Sequence, residues 1–326
     1  MKFYTNGKLM MSGEYTVLRG AKALAIPTYG YGQSLEIDNT KNPYHLWQSF
    51  ENINSIKNQW FEAKFSIDLL EIIETNDIEK AKNVQKALKI IQNKKDFLFH
   101  KPKHFTSILN YNRNWGLGSS SSFLVNLQKW SKISAFEMND ALFKGGSNYD
   151  VAVCLENQPL IYQLDFEIEE EKNKDSRLEY TATSPQKTWA LADPFTNYTD
   201  QIWFVYLNKK QSTSTEIKSF KSIKTNRETI DEISQITIEM EKAENIETLN
   251  KLIDRHETIV SKLLQRPKVK QSLFPDFKGS IKSLGAWGGD FVLATGTREN
   301  VNEYFSKKSF KTMFSYYDLF LNHTSI

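Results

Sequence analysis

The chain has 326 residues, of which 40% are hydrophobic and 25% charged, and its formal net charge is +3 at pH 7. This length allows two domains with a substantial core, and so small a positive charge excludes an electrostatic case for a nucleic-acid partner. The single cysteine, Cys154, excludes an intrachain disulfide and a cysteine zinc cluster.

Targeting features are absent from the sequence as read. The first residues, MKFYTNGKLMMSGEY, contain no apolar leader, and no later stretch approaches the length of a membrane span. We therefore expect a cytoplasmic protein with no membrane partner, present as a monomer or homodimer.

The first stretch with chemical interest is NGKLMMSGEYTVLRGAKALAIP, residues 6–27. Lys8 stands between a glycine and an apolar run, and Glu14 follows Gly13. A β-hairpin with a surface lysine is the plain structural interpretation of this pattern.

The stretch NRNWGLGSSSSFLVNL, residues 112–127, places two glycines and four successive serines directly before an apolar run. Glycine tolerates positive φ, and serine can cap the first N–H groups of a helix. Phe123, Leu124, Leu127 and Trp130 recur at helical spacing, which predicts a loop that leads into a helix with one buried face. Such a helix start suits an anion such as phosphate, although an ordinary capped helix also fits.

The second half of the chain mixes strand and helix patterns. LIYQLDF and QIWFVYLN predict strands on either side of a polar stretch at 167–187, and we expect domains of 1–185 and 186–326. Residues 214–264 follow helical spacing, and His256 on the apolar face is expected to be a core histidine. With no regular βαβ rhythm, the sequence predicts an α+β fold class.

Two short motifs complete the pattern. GGSNYDVAV puts Asp150 after a glycine–serine turn, where an aspartate is also an ordinary cap. GAWGGD, residues 285–290, places glycines before a strand, where a tight turn is their usual role.

In this order, the stretches resemble motifs of the GHMP kinase superfamily, which includes galactokinase, homoserine kinase, mevalonate kinase and phosphomevalonate kinase. GLGSSSS is similar to the family's GLGSS phosphate loop, GKLMMSGEYTVLRG to its N-terminal motif and GAWGGD to its C-terminal glycine motif. GGSNYDVAV resembles the segment with the catalytic aspartate, and KKQSTSTEI the substrate-side Ser/Thr loop. GEY and GGD look more like the phosphomevalonate kinase branch. The chain departs from the pattern at Asn6, Asn148, Tyr149 and Trp287.

The resemblance implies a two-domain GHMP kinase fold, with a ribosomal-protein-S5-like N-terminal domain and a ferredoxin-like C-terminal domain. It implies an ATP-dependent small-molecule kinase that uses Mg²⁺, with Lys8 and Asp150 as catalytic residues. The residues implied to bind the nucleotide are Asn114, Gly116, Leu117, Gly118, Ser119, Ser120 and Ser121, of which Ser119 and Ser120 are also candidate metal ligands. Those implied to bind substrate are Glu14, Ser147, Ser212, Thr213, Gly285, Gly288 and Gly289.

The resemblance to the phosphomevalonate kinase branch implies phosphomevalonate, an isoprenoid precursor, as the acceptor. The alternatives are a kinase of mevalonate, of another alcohol or of a sugar, or a non-catalytic homologue. A dinucleotide-binding oxidoreductase is a further alternative, in which GLGSSS is an incomplete G-x-G-x-x-G and Glu137 the ribose ligand. Against it, the third glycine is missing and the loop lies deep in the chain. The acidic Mg²⁺ ligand stays open, with Glu137 and Asp140 as loosely placed candidates.

Overall fold

The computed structural model describes residues 1–166, 185–209 and 213–321. These residues cluster into two compact units. Unit 1 holds Met1–Lys8 and Thr28–Asn157, and unit 2 holds Leu9–Pro27 and the described residues from Gln158 onward.

The strands that begin in the first part of the chain are β1 (Lys2–Ser12), β2 (Ala23–Asn39), β3 (His45–Ile53), β4 (Ile56–Phe65), β5 (Ile72–Thr75) and β6 (Lys103–Leu109). The helices of unit 1 are α1 (Ile78–Lys94), α2 (Ser119–Ser131), α3 (Ala135–Leu142) and α4 (Tyr149–Glu156). The unit boundaries fall inside β1 and β2, so each of these strands contributes residues to both units.

The sheet of unit 1 is mixed and runs in the order β5-β4-β3-β6-β2. β3 and β6 pair in parallel, and the other neighbours in this order pair antiparallel. Side chains alternate between buried and partly exposed along β3 and β6, as a sheet with one covered face requires. Trp47 stacks on Phe105 with ring centroids 5.1 Å apart, and Trp130 of α2 meets Phe105 edge-on at 5.4 Å.

Unit 2 contains β7 (Leu160–Asp165), β8 (Gln186–Leu191), β9 (Ile202–Tyr206), β10 (Ile281–Leu284), β11 (Phe291–Thr295) and β12 (Met313–Ser315). Its helices are α5 (Thr213–Lys221), α6 (Arg227–Glu241), α7 (Ile246–Leu264), α8 (Val269–Leu273) and α9 (Arg298–Lys307). β7 pairs antiparallel with the first residues of β2 and with β8. A separate antiparallel sheet runs in the order β10-β11-β9-β12.

The predicted strands at LIYQLDF and QIWFVYLN are present as β7 and β9, and the chain is α+β as predicted. The helical stretch 214–264 is divided into α5, α6 and α7. Asn226 and Asn245 explain two of the helix starts, because their side chains accept hydrogen bonds of 2.9 Å from the N–H groups of Thr229 and Thr248. Within the described residues, we find no helix long and apolar enough to cross a membrane.

The compact units divide the chain differently from the predicted domains of 1–185 and 186–326. Residues 9–27 and 158–165 cluster with the later part of the chain. The reason lies in pairing: Ala23–Ala25 of β2 are hydrogen-bonded to β7, which continues to β8. The boundary at 185/186 itself stays a prediction.

Candidate functional site

The glycine–serine loop of unit 1 has the geometry expected at an anion site. Gly116 and Gly118 have φ angles of 70° and 84°, a region that favours glycine. Gly118 directly precedes α2, and no side chain caps this helix start. The first N–H groups of α2 therefore have no capping side chain, and they lie at the positive end of the helix dipole.

The four serines of the loop have two different roles. Ser121 and Ser122 are fully buried, and their hydroxyls donate to the carbonyl oxygen of Gly118 at 2.9 and 3.1 Å. Ser119 is partly buried and Ser120 is exposed. Of these four serines, only Ser119 and Ser120 thus present hydroxyls that a bound ligand or metal ion could reach, and a contact of Ser121 with a nucleotide stays a prediction.

Two further loop residues were predicted to contact the nucleotide. Leu117 is fully buried, and its carbonyl oxygen accepts from the N–H of Lys8. Asn114 is exposed, and its N–H donates to the side chain of Asn112 at 2.9 Å. The contact of either residue with a nucleotide stays a prediction.

Lys8 lies against this loop, as the sequence predicts for two parts of one site. Its N–H donates to the carbonyl oxygen of Leu117 at 3.0 Å. A Cβ atom built on Gly118 would lie 2.9 Å from Cγ and 3.0 Å from Cε of Lys8. The lysine stem therefore passes directly over Gly118, and only a glycine leaves room for it.

The ammonium group of Lys8 is held by Tyr149. Lys8 Nζ donates to Tyr149 Oη at 2.8 Å and lies 5.0 Å from the centre of the ring. Burial favours the neutral amine, but the Tyr149 oxygen and the Asp150 carboxylate outweigh it and raise the pKa of Lys8. Among the described residues, Lys8 and Asp150 do not form an ion pair within 4.0 Å. The Asp150 carboxylate therefore acts on Lys8 at longer range.

Asp150 stands in the first turn of α4, and the turn before it is fixed by a side-chain network. Asn148 adopts the left-handed conformation with φ 64°. It accepts from the amide of Asn139 at 2.7 Å and donates to Asp140 at 2.6 Å. The departure at Asn148 thus has a structural function, because asparagine tolerates this conformation and links α3 to the start of α4. Ser147 is buried beside it, at 7% exposure.

Glu137 and Asp140, the two candidates for an acidic Mg²⁺ ligand, have different surroundings. Glu137 forms an ion pair of 2.6 Å with Lys94, with both side chains well exposed. Asp140 is bound to Asn148, close to the start of α4. The residues that the structure describes bring no three His, Cys, Asp or Glu side chains together for a metal ion. The hydroxyls of Ser119 and Ser120 fit Mg²⁺, which binds oxygen donors and takes few of them from protein when phosphates are present.

The glycine turn of unit 2 follows β10. Gly285 and Gly288 have φ angles of 73° and 74°, and the N–H of Gly289 donates to the carbonyl of Ala286 at 3.0 Å. A Cβ atom on Gly288 would meet nothing within 4 Å, so its surroundings are open. Trp287, which replaces a family glycine, is buried, and its indole N–H donates to the carbonyl of Pro267 at 3.1 Å.

Glu14 lies in the interior of unit 2. Its side chain is 5% exposed and accepts from Lys282 Nζ at 2.5 Å. Of the other predicted substrate residues, Ser212 lies outside the described residues, and Thr213 is described only as the first residue of α5. Their roles toward a substrate stay predictions.

The contacts of Tyr149, Gly7 and Lys282 were not predicted from the sequence. A Cβ atom on Gly7 would lie 2.3 Å from the carbonyl oxygen of Leu117, so this glycine allows β1 to approach the loop. Its place next to Lys8 was a usable signal. Tyr149 and Lys282 gave no such signal, because their partners lie far away in the chain.

No family model and no curated protein matches the chain. Solved structures do match it. A Streptococcus pneumoniae phosphomevalonate kinase in complex with phosphomevalonate and AMPPNP is 15% identical, with a TM-score of 0.67 over 97% of this chain and 99% of that chain. A Methanococcus jannaschii mevalonate kinase is 17% identical, with a TM-score of 0.64 over 96% of each chain. The chain has the GHMP kinase fold.

A Lactococcus lactis galactokinase in complex with galactose shares this fold at 9% identity, with a TM-score of 0.55 over 96% of this chain and 92% of that chain. The fold class predicted from the resemblance is therefore confirmed. At such low identities, the shared GHMP kinase fold does not identify the substrate of this chain.

Proposed function

We propose that the chain is an ATP-dependent kinase of a small metabolite, with phosphomevalonate as its best candidate acceptor. The observation that carries this proposal is the placement of Lys8 across Gly118, at the uncapped start of α2. A lysine ammonium and helix N–H groups that converge on one glycine loop provide the positive field that a triphosphate needs.

Phosphoryl transfer depends mainly on positioning and on stabilising the charge of the transferred group. The N–H groups of the first turn of α2 would hold phosphate oxygens, with Gly116 and Gly118 allowing their close approach. Ser119 or Ser120 would hold Mg²⁺, which neutralises phosphate charge when bound. Lys8 stays protonated near neutral pH because its pKa is raised, so its charge is available throughout.

Asp150 would orient the acceptor or accept its proton. It is partly buried, and its negative charge acts on Lys8 without a direct ion pair. This leaves the carboxylate available to a hydroxyl or phosphate group, with Lys8 near enough to stabilise the charge that develops.

The choice of phosphomevalonate as the acceptor rests on two sequence motifs and on similarity to solved structures. GEY and GGD favour the phosphomevalonate branch, and one similar structure holds phosphomevalonate and AMPPNP. Mevalonate is the second candidate, because mevalonate kinases match over the same share of the chain. The proposal includes a cytoplasmic monomer or homodimer that acts on a small molecule rather than on nucleic acid.

Two alternatives from other classes are less well supported. A dinucleotide-binding oxidoreductase would need a doubly wound parallel sheet, whereas most strand pairs of unit 1 are antiparallel. A non-catalytic nucleotide-binding homologue would have no need for both Lys8 and Asp150 beside the loop.

A panel of phosphoryl acceptors with Mg-ATP tests the proposal. We expect turnover of phosphomevalonate and none of mevalonate. A phosphate monoester has its second pKa near 6, so its oxygen is already deprotonated at about pH 8 and Asp150→Asn should retain substantial kcat. An alcohol acceptor keeps its proton at this pH, so with such an acceptor the kcat of Asp150→Asn should fall about 10²- to 10⁴-fold.

Turnover of mevalonate that is abolished by Asp150→Asn would favour the alcohol kinase. Binding of ATP without turnover of any acceptor would favour the non-catalytic homologue.

A further inference from the structure

Four ionisable side chains meet in the interior of unit 2. Glu14, His256, Glu257 and Lys282 are each at most 5% exposed. Lys282 Nζ donates to Glu14 Oε1 at 2.5 Å, and His256 Nδ1 lies 3.6 Å from Glu257 Oε1. His256 Nε2 accepts from the N–H of Gly13 at 3.3 Å, which makes His256 the core histidine that its apolar helix face predicts.

Stability alone is a poor explanation for this cluster. Burying charged groups is costly, and apolar side chains of similar volume often stabilise an interior equally well. The contacts that the cluster makes with the main chain are more informative.

The cluster holds both main-chain groups of Ser283. Lys282 Nζ donates to the carbonyl of Ser283 at 3.1 Å, and the N–H of Ser283 donates to Glu257 Oε2 at 3.2 Å. The hydroxyl of Ser283 in turn accepts from the N–H of Gly288 at 3.1 Å. A continuous path of hydrogen bonds therefore runs from the buried charges to the glycine turn.

Tyr15 provides a second link from the same segment. Its hydroxyl accepts from the N–H of Trp287 at 2.7 Å and donates to Glu216 at 3.3 Å. Gly13, Glu14 and Tyr15 thus contact either the cluster or the turn directly, so the GEY and GAWGGD segments meet in the folded chain.

We propose that Lys282 and Ser283 are positioning residues that fix the 285–289 turn for the acceptor, with Glu14 holding Lys282 and Glu257 holding the N–H of Ser283 in place. This inference rests on the proposed function and on the substrate-binding role that the family resemblance implies for Gly285, Gly288 and Gly289. It gives Glu14 an indirect role instead of a contact with substrate. The N–H groups of Trp287, Gly288 and Gly289 already donate to Tyr15, Ser283 and Ala286. The turn is therefore ordered before an acceptor binds, whereas ordering it on binding would cost affinity.

Ser283→Ala is the first test, because it removes the acceptor of the Gly288 N–H and leaves the charges in place. We expect the KM for the acceptor to rise about 3- to 10-fold, as the loss of one hydrogen bond predicts, with the KM for ATP unchanged. Ser280→Ala is the matched control. Ser280 is equally buried, but its hydroxyl donates to the carbonyl of Asn250 at 3.4 Å and not to the turn.

Amide hydrogen exchange provides a readout that needs no kinase activity. In Ser283→Ala, and in Glu14→Gln, which leaves Lys282 without its counterion, we expect faster exchange at 285–289. Ser280→Ala should not change it. Unchanged exchange at 285–289 in both variants overturns the positioning inference, as does an equal rise in the two KM values for Ser283→Ala. Lack of turnover by the parent protein overturns the proposed function instead, while the exchange comparison still decides the positioning inference.

Discussion

Lys8 and Tyr149 form a side-chain contact between the first strand and the helix that carries Asp150. Lys8 Nζ donates to Tyr149 Oη at 2.8 Å, and the two residues are 141 positions apart. Because Tyr149 immediately precedes Asp150, this bond fixes the lysine ammonium next to the carboxylate without neutralising it. A lysine has four rotatable side-chain bonds, so such a contact determines where its charge lies.

Tyr149→Phe removes the hydrogen-bond acceptor and retains the ring beneath the ammonium group. We expect kcat to fall about 3- to 10-fold with little change in ATP affinity, since one hydrogen bond is lost and the ring contact persists. Steady-state kinetics with the acceptor identified by the panel measures this. Tyr29→Phe is the control, because the Tyr29 hydroxyl donates to the carbonyl of Asn157 at 2.9 Å and does not contact Lys8. Equal effects of the two variants would contradict the role of Tyr149.

Lys8→Met retains the stem over Gly118 and removes the charge. We expect kcat to fall by ~10²- to 10³-fold, as for other charge-stabilising donors in closed sites, while the thermal unfolding midpoint changes little. Because the pKa of Lys8 lies above 10.5, the activity of the parent protein should show no alkaline limb from this residue near neutral pH.

Lys2→Met is the control for that variant. Lys2 lies on the same strand, and its side chain is 68% exposed. If Lys8→Met unfolded the protein while Lys2→Met did not, Lys8 would be structural.

Gly118→Val should weaken Mg-ATP binding by at least about tenfold, because a Cβ atom meets the Lys8 stem and strains a left-handed backbone. Titration calorimetry on the folded variant measures the affinity. Gly146→Ala is the matched control, since Gly146 does not have a positive φ and its nearest contact would be an ordinary 3.5 Å. Unchanged affinity in folded Gly118→Val would contradict the phosphate-loop interpretation.

Local patterns in the sequence predicted the elements that depend on local physics. The spacing of Leu124, Leu127 and Trp130 predicts α2 and its buried face, and all three side chains are buried there. The helical spacing at 214–264 predicted helix but not its division, which the structure places at the caps Asn226 and Asn245. Capping needs only a few neighbouring residues, so it can be recognised without tertiary structure.

The contacts between residues far apart in the sequence, in either unit, could not be predicted in this way. Glu14 and Lys282 are 268 positions apart in the sequence, and neither residue belongs to a periodic pattern that predicts burial. Charged residues are expected at the surface, so a buried pair is visible only once the chain has folded. The same holds for Tyr149, which the family pattern marks only as a departure in the turn before Asp150.

The last prediction concerns pH and Glu257. Burial raises the pKa of Glu257 to about 8, Glu14 adds to this, and Lys282, the N–H of Ser283 and Lys268 oppose it. The folded state therefore binds a proton more tightly than the unfolded state, whose Glu257 pKa is the ordinary 4.5. The free energy of unfolding should contain a contribution that is complete below about pH 4.5 and is lost as pH rises through 8. His256 has the opposite sign, because burial lowers its pKa well below 6.5 and its contribution is lost as pH falls.

Glu257→Gln should remove the alkaline part of this dependence, because the amide oxygen still accepts from Ser283 and cannot titrate. Urea unfolding at about pH 6 and pH 8 measures it: the parent protein should be less stable at the higher pH, and the variant should show a smaller difference. Glu247→Gln is the control, since Glu247 is exposed on the same helix. A difference between the two pH values that is as large in Glu257→Gln as in the parent protein would place the titrating group elsewhere than Glu257.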